Sequence, residues 1–147
     1  AFKARRRDVM GNGYTELFFL DEVTALAAGH RPCFECRRAD ALAFAERFAT
    51  PRLLAPEMDA VLHAQRLNGR TKRLHRVSTD DLPDGAMIAI DGAAFAVRGD
   101  KLLRWSPSGY TAIRARPGNG FADALTPRAV LSVLRAGYPA RWHHSAD

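Results

Sequence analysis

Long apolar runs are absent from this sequence. No stretch approaches the ~20 consecutive apolar residues that a membrane-spanning helix needs, and the first residues, AFKARRRDVM, lack the apolar core of a secretory signal. We therefore expect a cytoplasmic protein with no membrane partner. The chain also lacks an initiator methionine and opens inside what reads as a strand, so we expect a processed product or a fragment with further residues before Ala1.

Cysteine is nearly absent, since Cys33 and Cys36 are the only two in 147 residues. So few cysteines exclude a small secreted scaffold held together by disulfides, and they favour a reducing compartment. In that setting a Cys-x-x-Cys pair is more often a metal or redox motif than a structural disulfide.

Acidic residues are outnumbered: 16 Asp and Glu stand against 22 Lys and Arg, which gives a net charge of +6 and a pI of about 10.0. A basic balance favours acidic partners, here DNA or RNA. The candidate contacts lie near the N-terminus and in the segment RTKRLHR: Arg5, Arg6, Arg7, Arg70, Lys72, Arg73 and Arg76. A compositional alternative stays open, because a GC-rich genome yields many arginines and alanines without selection for binding.

The elements that are present predict an α+β fold. A hairpin over residues 2–20 has Gly11-Asn12-Gly13 as its turn, and the stretch TPRLLAP, residues 50–56, is the best linker candidate. The apolar periodicity and the helix-stop residues predict further elements. These are helices over 22–28, 38–48 and 57–67, strands over 86–90, 93–98, 101–106 and 111–116, and a last helix capped by Thr126.

Two parts follow from these elements. Residues 1–50 form a hairpin-helix-CxxC-helix unit. Residues 51–147 supply a helix and a small four-stranded antiparallel sheet closed by one C-terminal helix. We expect the two parts to pack together.

The stretch TELFFLDEVTALAAGHRPCFECRR resembles the zinc-binding module of the Ada family of DNA-alkylation-repair regulators. An aromatic strand end, an Ala-rich helix and the run Ala-Gly-aromatic-Arg-Pro-Cys-x-x-Cys-Arg carry the resemblance. The matching residues are Phe18, Phe19, Ala27, Ala28, Gly29, Arg31, Pro32, Cys33, Cys36 and Arg37, with His30 in place of the aromatic. The resemblance covers residues 14–38 and implies a small α+β zinc module of the kind attached to DNA-acting proteins.

The first ligand pair of that family has no counterpart, because residues 1–28 contain neither Cys nor His. The family's methyl-acceptor chemistry uses a cysteine of that pair, so it does not carry over. Three interpretations of Cys33 and Cys36 remain open: a zinc site completed by histidines, of which His63 and His75 are our choice; a metal-free relic of the module; and a redox thiol pair.

A second candidate site lies on the third predicted helix. Asp59, His63 and Arg66 share one face at i, i+4 and i+7, and His75 follows in the basic segment. Carboxylate, imidazole and guanidinium groups can bind phosphate or a metal, and a histidine can act as a general base. His63, Arg66 and His75 are therefore candidate catalytic residues, although a solvated helix face explains the same pattern.

We expect a nucleic-acid-associated accessory protein with an Ada-like structural or vestigial zinc site. One alternative is a metal- or histidine-dependent phosphodiester hydrolase, and the other is a non-catalytic protein-interaction module. No motif in the sequence decides whether the protein is an enzyme.

Overall fold

The computed structural model describes residues 19–68 and 71–147. The predicted hairpin over residues 2–20 lies almost entirely outside the described residues, as do Arg5, Arg6, Arg7 and Arg70.

Four helices occur in the described part of the chain, and the sequence signals explain where they begin and end. Asp21 caps the first helix by accepting from Thr24 N at 3.0 Å, and Gly29, with φ +90°, follows its end. The helices are α1 (Glu22–Ala27), α2 (Arg38–Phe48), α3 (Ala55–Arg66) and α4 (Arg128–Arg135).

Eight strands follow α2 and α3 along the chain. They are β1 (Leu67–Asn68), β2 (Thr71–Lys72), β3 (His75–Ser78), β4 (Met87–Ile90), β5 (Ala93–Arg98), β6 (Lys101–Ser106), β7 (Gly109–Ala115) and β8 (Phe121–Ala124). Strands β1 and β2 pair only with each other, whereas the other six form one antiparallel sheet in the order β3-β8-β4-β5-β6-β7.

The predicted four-stranded sheet closed by one helix is wrong: the fold is α+β overall, but within residues 19–68 and 71–147 the sheet has six strands and four helices accompany it. The two strands of this sheet that were not predicted are β3, which begins at the end of the basic segment RTKRLHR, and β8, which lies between the last predicted strand and the last helix. Neither strand has a strong local signal. Both have only four residues, and the β8 sequence FADA is poor in β-branched residues. Their pairing is long-range, with His75 opposite Ala124 and Val77 opposite Ala122.

Thr126 does not cap α4 as predicted. Pro127 occupies the N-cap position. Thr126 is fully buried, and its hydroxyl accepts a hydrogen bond from Met87 N at 2.9 Å. The residue therefore joins the start of α4 to strand β4.

The hydrophobic core has three neighbouring clusters. The first lies among the helices and includes Leu26, Phe44, Met58, Leu62 and Val133. The second covers one side of the sheet and includes Ile88, Val97, Leu102 and Leu131. The third covers the other side and includes Val23, Met87, Leu103 and Tyr110. Helix α1 contributes to the first and third clusters and α4 to the first and second, so residues on both sides of the predicted linker share one core.

The sheet curls so that its two edges approach each other. Arg116, just after β7, donates to the carbonyl oxygens of Thr79 and Leu82, which follow β3, and to that of Gly99. Since β3 and β7 are the edge strands, this one guanidinium links both edges of the sheet.

Candidate functional site

The Cys-x-x-Cys segment forms a tight turn between α1 and α2. Arg37 N donates to Cys33 O at 2.9 Å, and Cys36 N donates to Cys33 Sγ at 3.4 Å. Both cysteines are exposed, and neither takes part in a disulfide. Hydrogen bonds from the amides of Cys36 and Glu35, and then from the Cys36 thiol, lower the pKa of the Cys33 thiol. The turn therefore favours a thiolate at Cys33, which is both the metal-binding and the nucleophilic form of cysteine.

Ion pairs hold this turn against the rest of the molecule. Arg37 lies 3.0 Å from the buried Glu22 carboxylate and 2.6 Å from Asp40. The same Glu22 carboxylate accepts from the Tyr138 hydroxyl at 2.6 Å and from Arg141 N at 2.9 Å. The segment after α4 thus fixes the start of α1 and, through Arg37, the end of the cysteine turn.

A cleft of about 390 Å³ opens beside Cys33. Its walls come from the cysteine turn and from one face of α3: Gly29, His30, Arg31, Cys33, Asp59, His63 and Arg66. Arg31 makes a bidentate ion pair with Asp59, at 2.7 and 3.0 Å, which joins the two walls. This pair neutralises the acidic group of the cleft and leaves Arg66 as its second cation.

Two buried nitrogen atoms in this cleft lack a hydrogen-bond partner among the described residues, namely His30 Nε2 and Arg66 Nε. Burial, and then the charge of Arg66, lower the pKa of His30, so its imidazole is neutral at pH 7. Arg66 Nη2 lies 3.5 Å from His63 Nδ1. The cleft is therefore polar, with a positive region around Arg66.

The structure brings some of the sequence-predicted site residues together and separates others. His63 and Arg66 share the cleft with Cys33. His75 does not line it: this residue is buried, and its Nε2 lies 2.8 Å from Gln65 O. Burial lowers the pKa of His75, which suits a neutral structural histidine. The cleft also includes His30 and Arg31, whose contribution depends on how the turn folds back onto α3.

No metal centre is assembled by residues 19–68 and 71–147, in which no three His, Cys, Asp or Glu side chains lie close enough to hold one ion. Residues 1–18 contain no Cys or His, so only the carboxylates of Asp8 and Glu16 could add to the set from that segment. Cys33 and Cys36 therefore supply half of the four ligands that a structural zinc site needs.

The basic residues predicted to contact nucleic acid divide into two groups. Lys72 is half-buried and donates to Ala27 O at 2.8 Å, and burial together with Arg66 lowers its pKa to about 8. Arg73 and Arg76, in contrast, are exposed. Arg76 lies 5.0 Å above the ring of Phe121, a residue on the adjacent β8 strand whose exposed fraction is 65%.

Arg128 adds a further exposed cation at the start of α4. Its charge acts on His75, as do those of Lys72 and Arg73, which places it near the start of β3. We call the set Arg73, Arg76, Arg128 and Phe121 the basic edge. Sequence reasoning missed Phe121 and Arg128 because β8, and its pairing with β3, was not predicted.

The carboxylate of Asp21 joins two distant parts of the chain. Tyr110 is buried, and its hydroxyl donates to Asp21 at 2.8 Å. His143 N donates to the same carboxylate at 2.9 Å.

Comparisons with known proteins return no match: no protein-family model, no curated protein and no solved structure is similar to this chain at a significant level. Within the described ranges, none of the helices is long and apolar enough to cross a membrane.

Proposed function

We propose that the protein binds single-stranded nucleic acid along the basic edge. The observation that carries this proposal is the stacking of the Arg76 guanidinium over the exposed ring of Phe121, at 5.0 Å. An exposed aromatic ring beside arginine is the arrangement on which unpaired bases stack while their phosphates are neutralised.

Charge supports the same location. In the described part of the chain, none of the carboxylates lies within salt-bridge distance of Arg73, Arg76 or Arg128. The three residues are exposed and lie around the start of strand β3. They are therefore available to phosphate oxygens, which arginine binds with paired hydrogen bonds.

A groove of about 460 Å³ continues from Phe121 across the mouth of the curled sheet. Ile90 supplies an apolar wall of the groove, and Arg114 also lines the groove. Asp91 and Asp123 line the same groove, so its charges balance. Arg76 lines the groove as well, so two arginines face the two aspartates. We infer that the groove receives bases, whereas phosphates lie against Arg76 at the groove and against Arg73 and Arg128 beyond it.

Fluorescence anisotropy with labelled oligo-dT and oligo-rU at several salt concentrations tests this proposal. We expect binding that weakens steeply with salt, because neutralising phosphates releases counterions. Phe121→Ala is expected to weaken binding about tenfold at every salt concentration, since a stacked base contributes ~1–3 kcal/mol. Arg76→Gln is expected to reduce the salt slope by about 1.

Arg52→Gln is the matched control, because Arg52 is an exposed arginine in the linker between α2 and α3, outside the basic edge. Equal losses for Arg52→Gln and Arg76→Gln would mean that only net charge matters, which contradicts a specific edge. Binding of duplex DNA as tight as that of oligo-dT would contradict the stacking role of Phe121.

Zinc binding by Cys33 and Cys36 is a separate question from nucleic-acid binding. Two sulfurs on a preformed turn can bind zinc structurally only if two further ligands come from outside the described residues. Metal analysis of the purified chain tests this: one equivalent of zinc supports a structural site, whereas its absence supports a vestigial one. No specific observation favours the hydrolase or interaction-module alternatives, since Asp59 is held by Arg31 and His75 by Gln65 O.

A further inference from the structure

The two cysteines are placed for chemistry that needs no third ligand. Both are exposed, Cys36 N donates to Cys33 Sγ at 3.4 Å, and the Cys36 thiol lies within hydrogen-bonding reach of the Cys33 sulfur. The turn is fixed at its far end by the Arg37 N to Cys33 O hydrogen bond, 2.9 Å long. The turn therefore holds the two thiols side by side, close enough to hydrogen-bond to each other.

The cysteines differ in their surroundings. Cys33 lines the 390 Å³ cleft with His63 and Arg66, whereas Cys36 does not line it. Within residues 19–68 and 71–147, none of the carboxylates forms a salt bridge with Arg66, because Asp59 pairs with Arg31. A small molecule that enters the cleft therefore meets the Cys33 sulfur and an uncompensated positive charge together.

We propose that Cys33 and Cys36 form a thiol–disulfide exchange site whose cleft favours small anionic disulfides. This site is independent of the nucleic-acid proposal, because none of its residues belongs to the basic edge.

The reaction uses the disulfide substrate as its oxidant. The Cys33 thiolate attacks one sulfur of RSSR, which forms a Cys33–S–S–R mixed disulfide and releases RS⁻. The Cys36 thiolate then attacks the Cys33 sulfur and releases the second RS⁻. Each cysteine loses one proton, and the two leaving thiolates take up protons to become two RSH. The dithiol has lost two electrons, and RSSR has gained them.

The cleft assigns the order of the two steps. Cys33 is the attacking residue because it lines the cleft that the substrate enters. Cys36 is the resolving residue because it lies outside the cleft but beside the Cys33 sulfur. Arg66 is a positioning residue: its charge attracts an anionic substrate to the cleft and takes no part in bond making.

Exchange kinetics with the reduced full chain test the proposal. Oxidised glutathione is the anionic probe and cystamine is the cationic one, at equal concentrations, with products separated by mass spectrometry. We expect an intramolecular Cys33–Cys36 disulfide with both, formed roughly three- to tenfold faster with glutathione, since steering by local charge changes rates on this scale at moderate salt.

The variants separate the roles. Cys36→Ser is expected to accumulate the Cys33–glutathione mixed disulfide, because the resolving thiol is gone. Cys33→Ser is expected to react much more slowly than wild type with both disulfides, because the attacking thiol is gone. Arg66→Gln is expected to remove the preference for glutathione over cystamine, whereas Arg52→Gln retains it. A thermal melt of Arg66→Gln shows whether this variant stays folded.

Three results would overturn the proposal. The first is equal reaction rates for the two single-cysteine variants. The second is a failure of wild-type protein to form an intramolecular disulfide with either probe. The third is one equivalent of zinc on the purified chain that blocks exchange until a chelator is added, since both sulfurs would then be metal ligands.

Discussion

Gly29 fixes the approach of the cysteine turn to helix α3. Its φ is +90°, a value that residues with a side chain rarely adopt, and a Cβ added there would lie 2.7 Å from Arg66 Cδ. Gly29→Ala should therefore combine backbone strain with a steric clash in the cleft. We expect a loss of about 2 kcal/mol in the free energy of unfolding, measured by urea titration.

Gly92→Ala is the matched control for this change. Gly92 has φ +81°, but nothing lies within 4 Å of an added Cβ. Its substitution should show the backbone strain alone. If Gly92→Ala costs as much as Gly29→Ala, the contact with Arg66 contributes nothing and the cleft wall is not closely packed.

Lys72 should make the stability of the protein depend on pH. Its pKa in the folded protein is about 8, because burial and Arg66 disfavour the charged form, against an ordinary value of 10.5. Between these two values the unfolded chain binds more protons than the folded one, so stability rises with pH across this window. We expect the free energy of unfolding to increase from pH 8 to pH 10 relative to a Lys72→Met variant.

Comparison with Lys72→Met removes the contribution of other groups that titrate in the same range. Tyr110 is one such group, although burial and Asp21 raise its pKa. A constant difference in the free energy of unfolding between wild type and variant from pH 8 to pH 10 would show that Lys72 is solvated. Lys72 would then be available to bind phosphate.

At the residue scale, the sequence indicated where some chemistry-bearing side chains lie, but it did not indicate their partners. The helical spacing of Asp59, His63 and Arg66 correctly indicated a shared face on α3. It could not indicate that Arg31 would neutralise Asp59, or that Gln65 O would hold His75, because both contacts depend on how the turn and strand β3 pack against α3.

At the scale of elements, Asp21 joins α1 to the C-terminal segment. It caps the helix through Thr24 N, and its other oxygen accepts from the Tyr110 hydroxyl at 2.8 Å and from His143 N at 2.9 Å. Asp21→Ala removes the cap and leaves two donors without a partner. We expect a loss of about 2 to 4 kcal/mol in unfolding free energy.

Asp21→Asn separates the two contributions. Asparagine keeps an oxygen that can cap α1, but it lacks the second acceptor that serves Tyr110 and His143. Chemical denaturation should therefore place this variant between wild type and Asp21→Ala. If Asp21→Asn were as unstable as Asp21→Ala, the cap would contribute nothing.

The elements that the sequence predicted are those with strong local signals. The Asp91-Gly92 turn and the alternation around it indicate the β4–β5 hairpin, and Gly29 and Pro51 indicate helix boundaries. Strands β3 and β8 have only four residues each, and both join the sheet through long-range pairing: Ser78 lies opposite Phe121, and Ile88 opposite Ala124. Such pairing is set by tertiary packing rather than by local preference, so no window of the sequence reports it.

At the scale of the whole molecule, the three core clusters should melt together. Phe44 is fully buried in the first cluster and makes an edge-to-face contact with Tyr138 at 5.6 Å. The only tryptophans, Trp105 and Trp142, pack against the third cluster, on the other side of α1. Because α1 contributes to both clusters, loss of packing around Phe44 should also destabilise the packing around the tryptophans.

Phe44→Ala is expected to cost about 3–5 kcal/mol, as truncation of a buried phenylalanine usually does. For a chain of this size the melting temperature should fall by roughly 10 °C. Helix loss followed by far-UV circular dichroism and tryptophan fluorescence should shift by the same amount, since one cooperative transition moves every probe equally. A fluorescence transition that stayed at the wild-type temperature while the helical signal melted early would mean that residues 51–147 hold their own core, and that the cysteine turn is carried on a separately folding unit.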